Sequence, residues 1–309
     1  MSQFFSKITL LIVLIAITIL GIIFIFSKEI QQNFFAGIAD KHKWAASIKE
    51  PKIILVGGSN LAFGVASDSI EKALHHPVIN LGLYAGFGLD FILKDALTEV
   101  KKGDWVVLCP EYYLDKAGDN YSKQAATMSY PEANKYINYA NLKDKFEKKA
   151  LFFIRYARNL IFFPNRISNP SIEDTISDYF RKGFSERGDL VSHLNNAPHK
   201  LDKFDKVEPQ DYSPEIVLIN QFIKTVEKKG AIVYWTFPSY SYSAYKGNLQ
   251  GLSFFEKQII EKVNCKKISQ IKDDIYPDDC FYDTHFHLNG DCRIQRTNKL
   301  ISALKKNIH

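Results

Sequence analysis

Ile53-Ile54-Leu55-Val56-Gly57-Gly58-Ser59-Asn60 sets the reading of the whole chain. Four branched apolar residues in a row, closed by two glycines, describe a strand covered on both faces, because a strand with one wet face would alternate. Strands of that kind belong to parallel sheets, whose connections are helices. Outward from this stretch the alternation continues. Val78–Leu81 reads as a second short strand, Leu89–Val100 as a helix, and Trp105–Cys109 as a third strand closed by Pro110. Another helix is expected before Val78, capped near Asp68, whose carboxylate can accept from first-turn amides. Later a helix opens at Pro214, where the missing N–H costs nothing, and runs to Lys229. Ile232–Phe237 is then a strand, Phe254–Val263 a helix and Gly290–Lys305 a terminal helix. The expected architecture is α/β, a three-layer α/β/α domain with a parallel sheet over residues 51–309. Residues 115–210 break the alternation with aromatic-rich sequence interrupted at Phe163-Pro164-Asn165 and Asn169-Pro170-Ser171, and they read as a helical insertion.

The 309 residues are 46% hydrophobic and 24% charged, which excludes a largely disordered chain. Four cysteines are too few for a disulfide-built scaffold. Lys and Arg number 40 against 34 Asp and Glu, and they are scattered in pairs such as Lys101-Lys102 and Lys228-Lys229. That is a solvated surface, not a nucleic-acid stripe.

Near the start, Ile8–Phe26 is an uncharged, almost wholly apolar run of 19 residues. As a helix it would be about 28 Å long and match the hydrocarbon core of a bilayer. Residues 1–27 therefore read as a tail and transmembrane anchor, and residues 28–50 as a helical stalk. A cleaved signal peptide and a buried core helix are the alternatives. The first usually has a shorter apolar core, and no small-x-small site follows at Phe26-Ser27-Lys28-Glu29. Lys7 on one flank and Lys28, Lys41 and Lys43 on the other do not fix the orientation. For a bacterial chain, a lone anchor before one large domain implies a single-pass inner-membrane protein with the domain outside the cytoplasm. Leu151–Phe163 carries Arg155, Arg158 and Asn159, so it reads as an amphipathic or buried helix, with an interfacial helix as the alternative.

In parallel sheets chemistry collects in the loops at the carboxyl ends of the strands. The first such loop offers Ser59 after two glycines, which let the backbone turn sharply and approach a reacting group. The last offers Phe281-Tyr282-Asp283-Thr284-His285-Phe286-His287-Leu288-Asn289, directly before the terminal helix. A serine nucleophile needs an imidazole to take its proton, and the imidazole needs a carboxylate to hold its tautomer. The chain thus carries a nucleophile at one end and its base and orienter at the other.

Together the two ends resemble the SGNH/GDSL hydrolase superfamily, with its serine after the first strand and an Asp-x-x-His pair before the last helix. The likeness spans residues 50–114 and 214–305 and implies an SGNH/flavodoxin-like sheet. Ile53–Asn60 matches the first block, with Gly58 where many members carry Asp. Val78–Gly86 resembles the second block, in which Gly82 or, preferred here, Gly86 would supply an oxyanion amide. The third block departs, because Leu108-Cys109-Pro110-Glu111-Tyr112-Tyr113 lacks the usual asparagine donor. The side chain of Asn60 would help in its place. The fourth departs too, since histidines follow Asp283 at spacings of two and four. His287 is favoured, because Asp283-Thr284, His287-Leu288-Asn289-Gly290 and Arg296-Thr297 resemble the ending of membrane-anchored SGNH-like proteins of bacterial cell-surface polymer pathways. His285 is the alternative base, since a strand-like loop brings residues two apart onto one side.

The resemblance implies a serine esterase or O-acyltransferase acting on acyl esters of a cell-envelope glycan. Ser59 would be the nucleophile, His287 the base and Asp283 the orienter, with Gly86 and Asn60 at the oxyanion and no cofactor. The membrane is engaged through residues 8–26, a membrane acyltransferase is a candidate partner, and nucleic acid is not. A second class is a weakly catalytic binding or assembly partner of a membrane polysaccharide or acyl-transfer complex. A third, a metal-dependent hydrolase using Asp283, His285 and His287, lacks a third histidine. The aromatics of Trp235–Tyr242 could line a pocket or simply continue the core. Glu111 could touch substrate or cap a loop. In an exported domain a Cys265–Cys280 or Cys280–Cys292 bridge could brace the catalytic loop.

Overall fold

The computed structural model describes residues 2–162 and 178–307. Among them seven strands form: β1 (Ile53–Gly57), β2 (Val78–Asn80), β3 (Trp105–Cys109), β4 (Ile232–Trp235), β5 (Tyr240–Ser241), β6 (Lys266–Lys267) and β7 (Ile275–Tyr276). Five make one sheet in the order β2-β1-β3-β4-β6, every neighbouring pair parallel, while β5 and β7 form a separate parallel pair. The helices of the amino-terminal half are α1 (Ser2–Ile30), α2 (Gly37–Ser47), α3 (Ser59–Gly64), α4 (Ser67–Leu74), α5 (Leu89–Glu99), α6 (Asn120–Ser129) and α7 (Leu142–Phe162). Those of the second half are α8 (Ser213–Lys228), α9 (Tyr242–Gly247), α10 (Leu249–Lys262) and α11 (Gly290–Asn307).

Alternate strand residues serve opposite faces, as a pleated backbone requires. Ile54, Val56, Val106, Leu108 and Val233 pack with α5, α8 and α10. Their neighbours Ile53, Leu55, Val107, Cys109 and Tyr234 pack with α3, α4 and α11. The result is an α/β fold of three layers. From β1 the chain moves outward to β2 and then crosses back to β3, so the connections leaving β1 and β3 diverge. The crevice above their carboxyl ends is where such sheets place ligands.

Several boundaries differ from the sequence reading. The strand at Ile232 stops at Trp235, because Pro238 cannot donate to a ladder and the Phe237 amide turns to the Ser269 hydroxyl at 3.1 Å. Asp68 is not the cap of α4. It lies inside the first turn and pairs with Lys72, whereas the Ser67 amide and hydroxyl donate to Asp189 from the insertion. The helix expected from Phe254 begins at Leu249. Among the described residues the insertion is α-helical only in α6 and α7. Among residues 178–212 a single short 3-10 turn, Arg181–Gly183, forms, and the rest of the segment is irregular, with turns at 186–187 and 192–195. The breakers at 163–165 and 169–171 lie outside the described residues.

The apolar run Ile8–Phe26 lies in the continuous helix α1. The side chains of residues 16, 19, 20 and 22–30 are outside the description. Among the described residues no helix is long and apolar enough to cross a membrane. The segment expected as a stalk is built into the domain from residue 33 onward. Phe34, Phe35, Ile38 and Ala45 are buried, and a fully buried side chain of the larger kind contributes about 1.5–3 kcal/mol. His42 sits between Asp95 and Glu99 at 2.7 and 2.6 Å, joining α2 to α5. Burial opposes its protonation, but the charges and hydrogen bonds of the two carboxylates outweigh burial and push its pKa up to about 9. Lys41, also buried, donates to the carbonyls of Asn80, Gly82 and Gly188 and so ties α2 to the loop after β2.

Candidate active site

At the end of β1 the backbone has no room for side chains. A Cβ at Gly57 would stand 2.2 Å from the Cys109 carbonyl, and one at Gly58 would stand 2.4 Å from both carboxylate oxygens of Glu111. The two glycines let the chain pass through this gap, and Ser59 opens α3 directly beyond it. Ser59 is half-buried, whereas Asn60 behind it is fully buried.

The loop before α11 brings the other groups. Its base is an antiparallel bridge between Phe281 and Leu288, closed by the Tyr282 amide donating to His287 at 2.8 Å and the Asn289 amide donating to Cys280 at 2.8 Å. A Cys280–Cys292 disulfide brackets it, with the Cα atoms 5.5 Å apart. Cys109 and Cys265 remain thiols, so the other pairing considered for Cys280 is not formed. From this loop His287 Nε2 reaches Ser59 Oγ at 2.8 Å, and His287 Nδ1 meets Asp283 at 2.8 Å. The pattern requires the Nδ1–H tautomer, donating to the carboxylate and leaving Nε2 to accept from the serine hydroxyl. The nucleophile, base and orienter expected from opposite ends of the chain therefore meet in one hydrogen-bonded line.

Other residues fix that line. Phe63, one turn after Ser59, stacks on the His287 ring at 3.9 Å and 4°. Tyr179 donates its hydroxyl to Asp283, and the same oxygen lies 3.0 Å from His287 Nδ1. Burial raises the pKa of Tyr179 well above the usual phenol value, and the Asp283 charge adds to this, so it keeps its proton. Burial would lift the Asp283 carboxyl, but the charge and hydrogen bond of His287, with the Tyr179 hydroxyl, outweigh burial and hold it below its ordinary value. His193 packs behind Phe63 at 4.6 Å with Nε2 on the Leu288 carbonyl, and burial pushes its pKa down to about 4. Tyr179 and His193 come from the insertion and carry no local motif.

His285 does not compete for Ser59. Its Nδ1 pairs with Ser241 at 2.6 Å and its Nε2 faces the Asp202 carbonyl at 2.9 Å. Ser241 is fully buried and also caps α9 by accepting from the Ala244 amide. Among the described residues no group of three or more His, Cys, Asp or Glu is arranged to hold a metal ion.

One of the two groups expected at the oxyanion is unavailable. The Asn60 side chain is committed elsewhere: its amide nitrogen donates to the Cys109 carbonyl at 3.0 Å, and its oxygen accepts from Arg296 at 3.0 Å. Gly82 is committed as well, with its amide on Asn80 Oδ1 and its carbonyl on Lys41. Gly86 lies in the 3-10 turn Ala85–Phe87 against the Tyr84 ring, with its carbonyl taken by the Asp119 amide. The amide of this turn nearest the nucleophile loop is that of Ala85, 2.7 Å from where a Cβ on Gly58 would stand. Among the described residues the amides of Ser59, Ala85 and Gly86 donate to no other group. Those of Gly58 and Asn60 are taken by the two oxygens of Glu111 at 3.1 and 3.0 Å. Glu111 is thus the cap of the turn that carries Ser59.

The chain matches no protein-family model and no curated protein.

The terminal helix clamps the same turn from below. Arg296, buried, donates to the Asn60 carbonyl at 2.9 Å, and Thr297 accepts from the Ala66 amide at 2.9 Å. Arg293 reaches the Val65 carbonyl and pairs with Asp189. Arg296-Thr297, singled out in the sequence, therefore braces the helix that carries Ser59.

Proposed function

We propose that this chain is a membrane-anchored serine esterase or O-acyltransferase of SGNH type, acting on acyl esters of a cell-envelope glycan. The observation that carries the proposal is the Ser59–His287 contact of 2.8 Å, with Asp283 on the far nitrogen and the serine half-exposed. A serine hydroxyl on a neutral imidazole oriented by a carboxylate is the arrangement that acyl transfer requires.

In the proposed reaction Ser59 Oγ attacks the acyl carbonyl carbon and its proton passes to His287 Nε2. Asp283 holds the ring and offsets its new charge, and Tyr179 holds Asp283. The oxyanion falls to the amides of Ser59 and Ala85, which no protein acceptor takes among the described residues. As the carbon–oxygen bond of the leaving alcohol breaks, His287 returns the proton to it. The acyl group, now an ester of Ser59, passes by the reverse steps to water or to a sugar hydroxyl. Placement of the serine after the first strand and of the acid–base pair before the last helix supports the SGNH assignment. In that comparison the space that an Asp at position 58 would need is occupied by Glu111 from the third block.

The apolar run within α1 supports the anchor. The Cys280–Cys292 bridge supports an oxidising compartment outside the cytoplasm. A fluorophosphonate probe tests the chemistry: Ser59 should be labelled in the wild-type chain and labelling should vanish in Ser59→Ala. A folded wild-type chain that resists the probe would sink the enzyme reading.

A second reading, a binding or assembly partner of a membrane acyl-transfer or polysaccharide complex, is favoured by one observation. Glu111 occupies two amides beside the nucleophile, and its carboxylate lies where an anionic transition state would be opposed. That reading predicts no labelling together with co-purification of a membrane acyltransferase.

A further inference from the structure

Helix α7 presents an apolar stripe that no described residue covers. Leu142, Phe146, Ala150, Phe153 and Ile154 recur at helical spacing on one side. Leu142 is 84% exposed, Phe146 74% and Ile154 66%. Single exposed apolar residues are ordinary, but a continuous stripe of large ones marks a contact surface. The opposite side of α7 is already used, since Phe152 and Tyr156 are buried and Phe152 packs on Tyr121 of α6 at 5.1 Å. Lys149 borders the stripe along one edge and Arg158 along the other, Lys143 lies among the apolar residues and pairs with Glu147 at 3.8 Å, and the helix as a whole carries six basic residues against two acidic ones. Their alkyl stems can lie along an apolar layer while the charges reach outward. So many charges also prevent this helix from crossing a membrane. Finally, α6, on which α7 rests, packs beside α1 and beside the turn Phe34–Ala36 that follows it. Helix α7 and the segment read above as the anchor therefore share α6 as a neighbour.

We infer that α7 lies flat in the bilayer interface, with Phe146, Phe153 and Ile154 in the upper acyl region and Lys149 and Arg158 on anionic lipid headgroups. This inference rests on the anchor reading of α1 and gives the domain a second point of attachment. Such a helix sits about 5–10 Å into the boundary between headgroups and chains. With two attachments the catalytic domain cannot swivel on a single helix, so the face carrying Ser59 holds a fixed angle to the membrane.

The full chain would be reconstituted in nanodiscs of phosphatidylcholine with phosphatidylglycerol, and in discs of phosphatidylcholine alone. Two single substitutions act as depth reporters against the three native tryptophans: Phe146→Trp in α7 and Ile15→Trp in α1. Quenching by lipids brominated high in the acyl chain should remove about half of the added Phe146→Trp emission, as expected for an interfacial helix, and should weaken without the anionic lipid. Ile15→Trp should respond to lipids brominated near the bilayer centre. If Ile15→Trp is quenched and Phe146→Trp emits as in water, the inference falls while the anchor stands. If Phe146→Trp alone is quenched, the anchor falls and, with it, the second attachment inferred here. If neither is quenched, both fall. Equal quenching of Phe146→Trp in the two lipid mixtures would overturn the anionic component.

Discussion

One loop supplies the histidines of two serine–histidine pairs, and the pairs are unlike in everything except the contact. His287 meets Ser59 at 2.8 Å and His285 meets Ser241 at 2.6 Å, so proximity favours the second pair. Chemistry favours the first. His287 has a carboxylate on its other nitrogen, whereas His285 faces a neutral carbonyl. Ser59 is half-exposed beside amides that meet no acceptor among the described residues, whereas Ser241 is sealed in the core and spends its oxygen on the cap of α9. A serine and histidine in contact are therefore not yet a catalytic set. Charge behind the ring and open space before the hydroxyl make the difference.

The comparison can be broken in order of expected effect. Replacing Ser59 by Ala, or His287 by Ala, should lower turnover of an activated acyl ester by about 10⁶-fold, because triad members act as a unit. Ser241→Ala, assayed beside it, should change turnover per folded molecule only a few-fold. Comparable losses from both serines would erase the distinction. Asp283→Asn should cost about 10⁴-fold while circular dichroism stays unchanged, since the ring keeps its place but loses its tautomer.

Tyr179→Phe sharpens the comparison further, because it deletes a donor to the acid that only one pair possesses. A hydrogen bond to a charged group is worth about 1.5–3 kcal/mol, so kcat/KM should fall by roughly 10–100-fold. The Asp283 pKa, held down in part by this hydroxyl, should rise, which moves the acid limb of the pH–rate profile to higher pH. An unchanged profile would reduce Tyr179 to packing. Smallest in activity is the effect at the buried pair. His285→Gln should leave turnover nearly intact but lower stability by about 1–3 kcal/mol in urea titrations, because Ser241 loses its partner.

A background pH effect must be separated from these. His42 has a folded-state pKa raised to about 9 against an ordinary 6.5. Its stabilising contribution is complete below the unfolded value and is lost as pH rises through the folded one. Stability should therefore decline between pH 6.5 and 9 by up to about 3 kcal/mol, and His42→Gln should flatten that slope.

Much of the fold was legible because its determinants are local. β1 and β3 announce themselves as apolar runs, and the helices around Leu89, Pro214 and Gly290 carry clear periodicity. β6 is two lysines at a sheet edge, with no apolar signal to find. α3 spans six residues, too short for a period to show against the Gly57-Gly58 turn. The choice between His285 and His287 depended on a backbone detail. An extended loop would have set both histidines on one side, but the chain turns at 285–286 and sends them apart. Tyr179 reaches the site across 104 residues to Asp283, and Glu111 reaches the Asn60 amide across 51. Contacts at such separations belong to topology and leave no mark on the neighbouring sequence.

The span between Cys280 and Cys292 behaves like a jig of fixed length. Both its ends are fastened, and each of its two imidazoles must land on a different element. Substitutions at Thr284 or Phe286 alter one surface at a time. An added or deleted residue would shift both rings at once, misplacing the base and unseating α9 together. Insertion scanning across 281–291 should therefore lose folding and turnover jointly, where point changes separate them.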